Sequence, residues 1–314
     1  MSGPWSRLDR RLDPYRDDDN VARVARLRRA PARPFRPAAA LPARPAGLSI
    51  VILTLDKPEL IIPLVGDLIA LTPAFATRGL GYEVLIGDTG STDAAVLDFY
   101  GRLPGPAARV VPGLVYHFSR CNNQVFFAHA RFDTTLFLNN DVVIAANPGC
   151  LMAMRDHLAA RPEAGLAGLC LYFADRTIQH AGIDFLRGGP LHGLCHHPRA
   201  RERAAPDAGQ PGWSVVPAVT GACLMIRSAL FERLGGFDED YASECQDVAL
   251  CLAARRLGYR SDLLRAGQIL HLENATRPRG AEDWGDRRRF LRQWGGFIDA
   301  VFLDPAPPID ATPS

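Results

Sequence analysis

Two amides and a carboxylate, Asn139, Asn140 and Asp141, directly follow the apolar run Leu136-Phe137-Leu138. All three offer hard oxygens, the donors that magnesium or manganese prefers when substrate phosphates and water complete the coordination. The same residue types also favour a turn at a strand end, so the triplet alone leaves both readings open. A second cluster, Asp88-Thr89-Gly90-Ser91-Thr92-Asp93, contains the Asp-Thr-Gly-Ser signature of aspartic proteases. Such a protease needs a second Asp-Thr-Gly or Asp-Ser-Gly to share a proton, and none is present. The alternative for Asp88 is a carboxylate that accepts hydrogen bonds from a nucleotide's ribose or base. Asp247 stands before an apolar helical stretch, where it is either an ordinary N-cap or a base kept ionised by the helix dipole.

Other groups point less sharply. The chain has neither GxGxxG nor GxxxxGK[ST], so dinucleotide dehydrogenases and P-loop phosphotransferases lose their main support, and phosphate would have to be held by a metal. His192, Cys195, His196 and His197 fit no standard zinc spacing. Lys57 is the single lysine among 36 basic residues; it suits a diphosphate or base contact, or an exposed helix start.

The elements that must position these residues alternate. Residues 48–54 form a short β-branched apolar run typical of a strand buried on both faces, followed by a helix from Pro58 with apolar residues at helical spacing. The unit repeats as a strand over 82–87 and a helix over 91–100, then as strands over 114–117 and 134–138 around a helix over 119–130. Strand–helix alternation predicts an α/β fold with a mostly parallel, Rossmann-like sheet flanked by helices and ligands at the carboxyl ends of the strands. Asp56 and Lys57, Asp88, and Asn139 to Asp141 all fall there. The second half is less regular: helices over 147–160, 228–234 and 246–257, strands over 165–171 and 219–226, and a Gly/His/Pro/Arg-rich loop over 184–212 expected to cover a site.

The order of these motifs resembles the family 2 glycosyltransferases, inverting enzymes of the GT-A fold that use nucleotide-sugar donors. The resemblance rests on Ser49 to Leu60, Asp88 to Asp93, Leu136 to Asp141, Val219 to Arg227 with Gly235 to Glu239, Gln246 to Cys251, and His271 to Arg277, and it covers about residues 48–277. It implies that Asp56 and Asp88 touch the nucleoside, that Asp141 is the principal metal ligand with His271 near metal and diphosphate, and that Asp247 is the general base. Thr54, Lys57, Asn123, Asn139 and Asn140 fall with them on the donor side; His180, Thr220, Gly221, Glu244 and Gln246 fall on the acceptor side. The implied cofactor is Mn²⁺ or Mg²⁺. The implied partners are a nucleotide-sugar and a glycan or lipid-linked acceptor, as in surface polysaccharide assembly. The chain departs from the pattern at Gln246 and Ala249, where acidic residues are usual, with Glu244 nearby as a substitute. That departure keeps a catalytically impaired sugar-binding module as an alternative, beside a nucleotidyltransferase.

Composition bounds the rest. The 314 residues carry 36 basic and 34 acidic side chains, too balanced for a nucleic-acid binder. Residues 1–46 hold eleven Arg and five Asp, a net +6, in a Pro/Ala/Arg-rich arm read as an extended tail whose charge would suit an anionic membrane surface. Residues 47–277 form the transferase domain, its donor half about 47–147 and its acceptor half about 148–277; 278–314 form a C-terminal helix and tail. No secretory signal or membrane span is expected, and seven cysteines without a CxxC pair suit a reducing cytoplasm.

Overall fold

The structure, a computed structural model, describes residues 40–145, 147–203, 212–272 and 283–303. Most of the basic arm, residues 204–211 of the covering loop, the His segment beyond Leu272, and the tail from 304 lie outside the described residues.

Strand β1 (Gly47–Thr54) is almost wholly buried and central. It pairs in parallel with β2 (Gly81–Asp88) and β4 (Thr134–Asn139), and β2 pairs in parallel with β3 (Ala108–Val111). Thr54 lies opposite Asp88, and Leu53 opposite Asn139, so three strands end on one edge. Beyond β4 the sheet becomes mixed. β11 (Cys223–Arg227) runs antiparallel between β4 and β6 (Ala164–Tyr172), and β12 (Arg260–His271) runs parallel to β6. An edge strand, β10 (Gly212–Val216), pairs antiparallel with β12, while β7 (Ile178–His180) pairs with β6 and β5 (Val142–Val143) with β12.

Helices cover both faces because successive strand residues point to opposite sides. Leu48, Ile50 and Ile52 pack with α1 (Pro58–Ile69), α2 (Thr72–Ala76), α3 (Ala94–Gly101) and α5 (Cys150–Ala160). Val51 faces the other core, under α4 (Phe118–His129), α6 (Ser228–Leu234), α7 (Gln246–Arg256) and α8 (Trp284–Ile298). The stretch Pro58–Ala76 is long and apolar enough, by length and composition, to cross a bilayer. It folds as α1 and α2, whose Ile61, Leu64, Val65, Leu68 and Phe75 lie in the first core.

Several expectations are corrected. The third strand occupies 108–111 rather than 114–117, since Pro112 lacks an N–H and Gly113 turns the chain at φ 76°. Helix α3 starts at Ala94 rather than Ser91, because the Asp93 carboxylate accepts from the N–H groups of Ala95 and Val96 and so marks the N-cap. The strand expected over 219–226 begins only at Cys223, leaving Thr220 to Ala222 in a turn at the functional edge. The covering loop carries a small hairpin of β8 (Asp184–Phe185) and β9 (Cys195–His196). The long β12 was not anticipated: its apolar pattern is broken at Arg265 and Gly267, where its register against β6 shifts.

Candidate active site

Register alone brings the site together. Cys223 pairs with Leu138, which sets the Thr220 turn beside the end of β4, where Asn139 N–H donates to the Ala222 carbonyl (2.9 Å). His271 pairs with Val142, and Leu272 N–H donates to the Asp141 carbonyl (3.0 Å), so the far end of β12 reaches the same edge. A cavity of about 610 Å³ opens there, lined among others by Thr54, Lys57, Tyr116, Asn139, Asn140, Asp141, Thr220, Gly221, Gln246, Asp247 and His271. That size suits a small-molecule ligand. A second cavity of about 530 Å³ lies between α5 and β12, away from the strand ends, and its His157 is already bonded to Asp262 (2.7 Å).

On the donor side, two predicted carboxylates shape the rim instead of lining the cavity. One Asp56 oxygen accepts from the N–H groups of Thr92 and Asp93 (2.7 Å each), and Asp56 N–H donates to Ser91 Oγ (2.8 Å). Asp88 accepts from Gly90 and Ser91 N–H (3.2 and 3.1 Å) and from the Tyr100 hydroxyl (3.0 Å). Asp56 and Lys57 both adopt positive φ (50° and 59°), a costly corner for non-glycine residues that sets Lys57 in the cavity wall. Asn140 donates to Thr54 Oγ1 (3.2 Å), tying β1 to the end of β4.

Asn123 is corrected: it lies outside the cavity lining and holds a turn. Its amide oxygen accepts from Phe237 N–H (2.8 Å), and its nitrogen donates to the Phe237 carbonyl and Glu239 (2.9 and 3.0 Å). The turn needs Gly236 at φ 85°, where an added Cβ would lie 2.4 Å from Asn123 Oδ1. Asn122, not singled out from sequence, lines the cavity. Replacing Asn123 by alanine strands the Phe237 backbone groups, and urea titration should show a loss of about 1–3 kcal/mol.

At the cavity floor, Asp141 is buried, and its Oδ1 makes no hydrogen bond within the protein. His271 Nε2 lies 3.0 Å from it. The same nitrogen lies 3.3 Å from the Asn139 amide nitrogen, while His271 Nδ1 lies 2.6 Å from Gln179 Oε1. A carboxylate oxygen without a hydrogen bond, close beside an imidazole nitrogen, fits a divalent cation with two protein ligands, its other positions falling to substrate oxygens and water. Among the described residues no three His, Cys, Asp or Glu side chains converge to form a closed site.

Asp247 lines the same cavity from the first turn of α7 and is not its N-cap, which is Cys245 at φ 67°. Its two carboxylate oxygens accept from Gly221 N–H (2.7 Å) and Val248 N–H (2.8 Å). Burial pushes its carboxyl above the usual carboxylate range, outweighing those bonds and His197, which pull it down. Gln246 is buried in the cavity wall with its Oε1 unbonded. Glu244 pairs with Arg287 (2.7 Å) and is not among the lining residues.

His180 is buried behind the Thr220 turn, accepting from Thr220 N–H (3.4 Å) and facing His197 Nδ1 (3.1 Å). Burial, with His197 and His271 nearby, holds it well below the ordinary imidazole range. The histidines weighed for zinc diverge: His192 contacts Asp299 (2.8 Å), and Cys195 faces Cys245 (3.9 Å). Tyr116, Phe118 and Ser243 complete the wall without having been flagged by type or spacing.

No model of a protein family matches the chain. It is 33% identical over 218 residues (68% of the chain, 23% of the relative) to the uncharacterized protein y4gI of Sinorhizobium fredii. It is 30% identical over 273 residues (84% and 20%) to the O-antigen biosynthesis protein RfbC of Myxococcus xanthus. An N-acetylglucosaminyl-diphospho-decaprenol L-rhamnosyltransferase of Mycobacterium tuberculosis is 27% identical over 210 residues (60% and 66%). The chain thus spans about a quarter or less of the length of the first two relatives. Among solved structures, GalNAc-T7 with UDP, GalNAc and Mn²⁺ superposes at TM-score 0.60 and 13% identity, covering 82% of this chain and 50% of that one. The mannosyltransferase PcManGT of Pyrobaculum calidifontis with GDP-Man and Mn²⁺ gives 0.52 at 18% identity, covering 96% and 77%. These likenesses bear out the fold expected from the strand–helix order.

Proposed function

We propose that this chain, which has the GT-A fold and resembles the family 2 glycosyltransferases in its motifs, moves a sugar from a nucleotide-sugar donor to a hydroxyl of a glycan or lipid-linked acceptor, with inversion. The observation that carries this reading is the presence of two unlike features in one cavity: the Asp141 oxygen without a hydrogen bond beside His271 Nε2, and the buried Asp247 carboxyl.

Asp141 and His271 would hold a divalent cation, which when bound supplies positive charge for the departing nucleoside diphosphate. Lys57, which lines the same cavity, adds a second positive group. Asp247 takes the proton of the acceptor hydroxyl as its oxygen bonds to the anomeric carbon and the bond to the diphosphate breaks. Gly221 and Val248 N–H fix the Asp247 carboxylate in place for that transfer. Gln246 Oε1 is free to accept a hydrogen bond from an acceptor hydroxyl. The name of RfbC supports a glycan acceptor, and that of the decaprenol-linked rhamnosyltransferase a lipid-linked one. A cytoplasmic station, with the +6 arm against an anionic leaflet, belongs to the same reading.

A panel of nucleotide sugars with Mn²⁺ tests it. Slow release of nucleoside diphosphate from one donor is the expected result. Saturable binding without release, even with candidate acceptors, would identify a sugar-binding module, and pyrophosphate release a nucleotidyltransferase.

A further inference from the structure

We infer that Gln179 is a positioning residue of the cation site: its amide holds His271 in the tautomer whose Nε2 keeps its lone pair free beside Asp141. The inference rests on the cation reading above.

Gln179 is buried in the middle of β7 and touches His271 twice. Its Oε1 lies 2.6 Å from Nδ1, and its Nε2 lies 3.3 Å from the His271 carbonyl oxygen. The second contact fixes the first. A carbonyl oxygen only accepts, so the amide N–H must point to it, and the amide oxygen is left facing Nδ1. Nδ1 therefore carries the proton and donates it to Gln179. A neutral imidazole then has its lone pair on Nε2, which lies 3.0 Å from the unbonded Asp141 Oδ1. Two acceptors at that separation repel each other unless positive charge lies between them, which is the arrangement a divalent cation relieves. The neighbouring Asn139 amide nitrogen, 3.3 Å from Nε2, offers an N–H to the same lone pair.

Nothing local forces this contact, since Gln179 and His271 are 92 residues apart. It depends on β7 pairing with the end of β6, where His180 lies opposite Leu171, while β12 runs alongside β6 to Leu270 opposite Tyr172. Adjacent residues of β7 thereby serve different partners: Gln179 reaches His271, and His180 reaches the Thr220 turn. Groups that orient a metal-binding imidazole through its other nitrogen typically contribute 10–100-fold in metal affinity.

The test uses the full chain. Long-range ¹H–¹⁵N spectra at mildly alkaline pH, where an ordinary imidazole is neutral, should show His271 protonated on Nδ1 in the unmodified protein; a proton on Nε2 overturns the inference without any variant. Mn²⁺ titration followed by electron paramagnetic resonance in the presence of UDP should show roughly 10–100-fold weaker binding in Gln179→Leu, with metal-free UDP affinity close to that of the unmodified chain and a cooperative melting transition that shows the variant is folded. Equal Mn²⁺ affinity in a folded Gln179→Leu variant overturns the role of Gln179 and leaves the cation reading intact. Failure of the unmodified protein to bind Mn²⁺ at all overturns both.

Discussion

Replacing Asp141 by alanine is expected to abolish Mn²⁺-dependent UDP binding while leaving the fold as stable as before. The Oδ1 removed has no hydrogen bond to lose, and it sits within 3.0 Å of a nitrogen that presents no proton to it in the tautomer assigned here. Deleting a satisfied buried polar group usually costs about 1–3 kcal/mol; deleting this one should not. Loss of binding with no loss of melting temperature is the signature of a group kept for function at the expense of stability. The metal-dependent part of the affinity should fall on the order of 100-fold or more, since a cation at a diphosphate contributes several kcal/mol. Calorimetry with and without chelator checks it. UDP affinity that is insensitive to chelator in the unmodified protein and unchanged in Asp141→Ala would remove the metal from the mechanism.

Asp247→Asn should leave donor binding near its original value and slow transfer by about 10²–10⁴-fold, the usual contribution of a general base. Near-normal turnover would move the base elsewhere. Glu244 is then a poor heir, because Arg287 already engages it at 2.7 Å. The raised proton affinity of Asp247 also gives a signed pH dependence. A base works deprotonated, so the rate should rise as pH climbs through the Asp247 value, which burial places above the ordinary carboxylate range. Stability runs the other way. A carboxyl whose folded-state pKa exceeds its unfolded one favours the fold while protonated, and that contribution is lost as pH rises through the raised value. Asparagine has no such titration. The melting temperature of Asp247→Asn relative to the unmodified protein should therefore be higher at neutral pH than in acid below the carboxylate range. A difference that does not change with pH would mean that Asp247 is not shifted upward.

Departure from family pattern at Gln246 and Ala249 takes on a physical sense in the fold. Ala249 is buried within the second core, where a carboxylate would go unpaired. Gln246 keeps a buried, unbonded acceptor on the cavity wall. The αL corners at Asp56, Lys57 and Cys245 flank the same cavity, and backbone strain of this kind gathers where a site demands an awkward turn. None of the three corners carries the glycine that would have flagged it.

The sequence by itself determined the strand–helix alternation and therefore the edge on which chemistry could occur. Apolar period and β-branched runs are local, and in a parallel sheet the residues just past Thr54, Asp88 and Asn139 must share one edge whatever the packing around them. Only the tertiary structure decided what each polar group does there. It tied Asp56 and Asp88 to backbone N–H groups, gave Asn123 to the Phe237 turn, paired Glu244 with Arg287, and set Gln179 against His271. Those outcomes depend on contacts between residues far apart in the chain and on how far each carboxylate is removed from water, and neither is written in the local order of residue types.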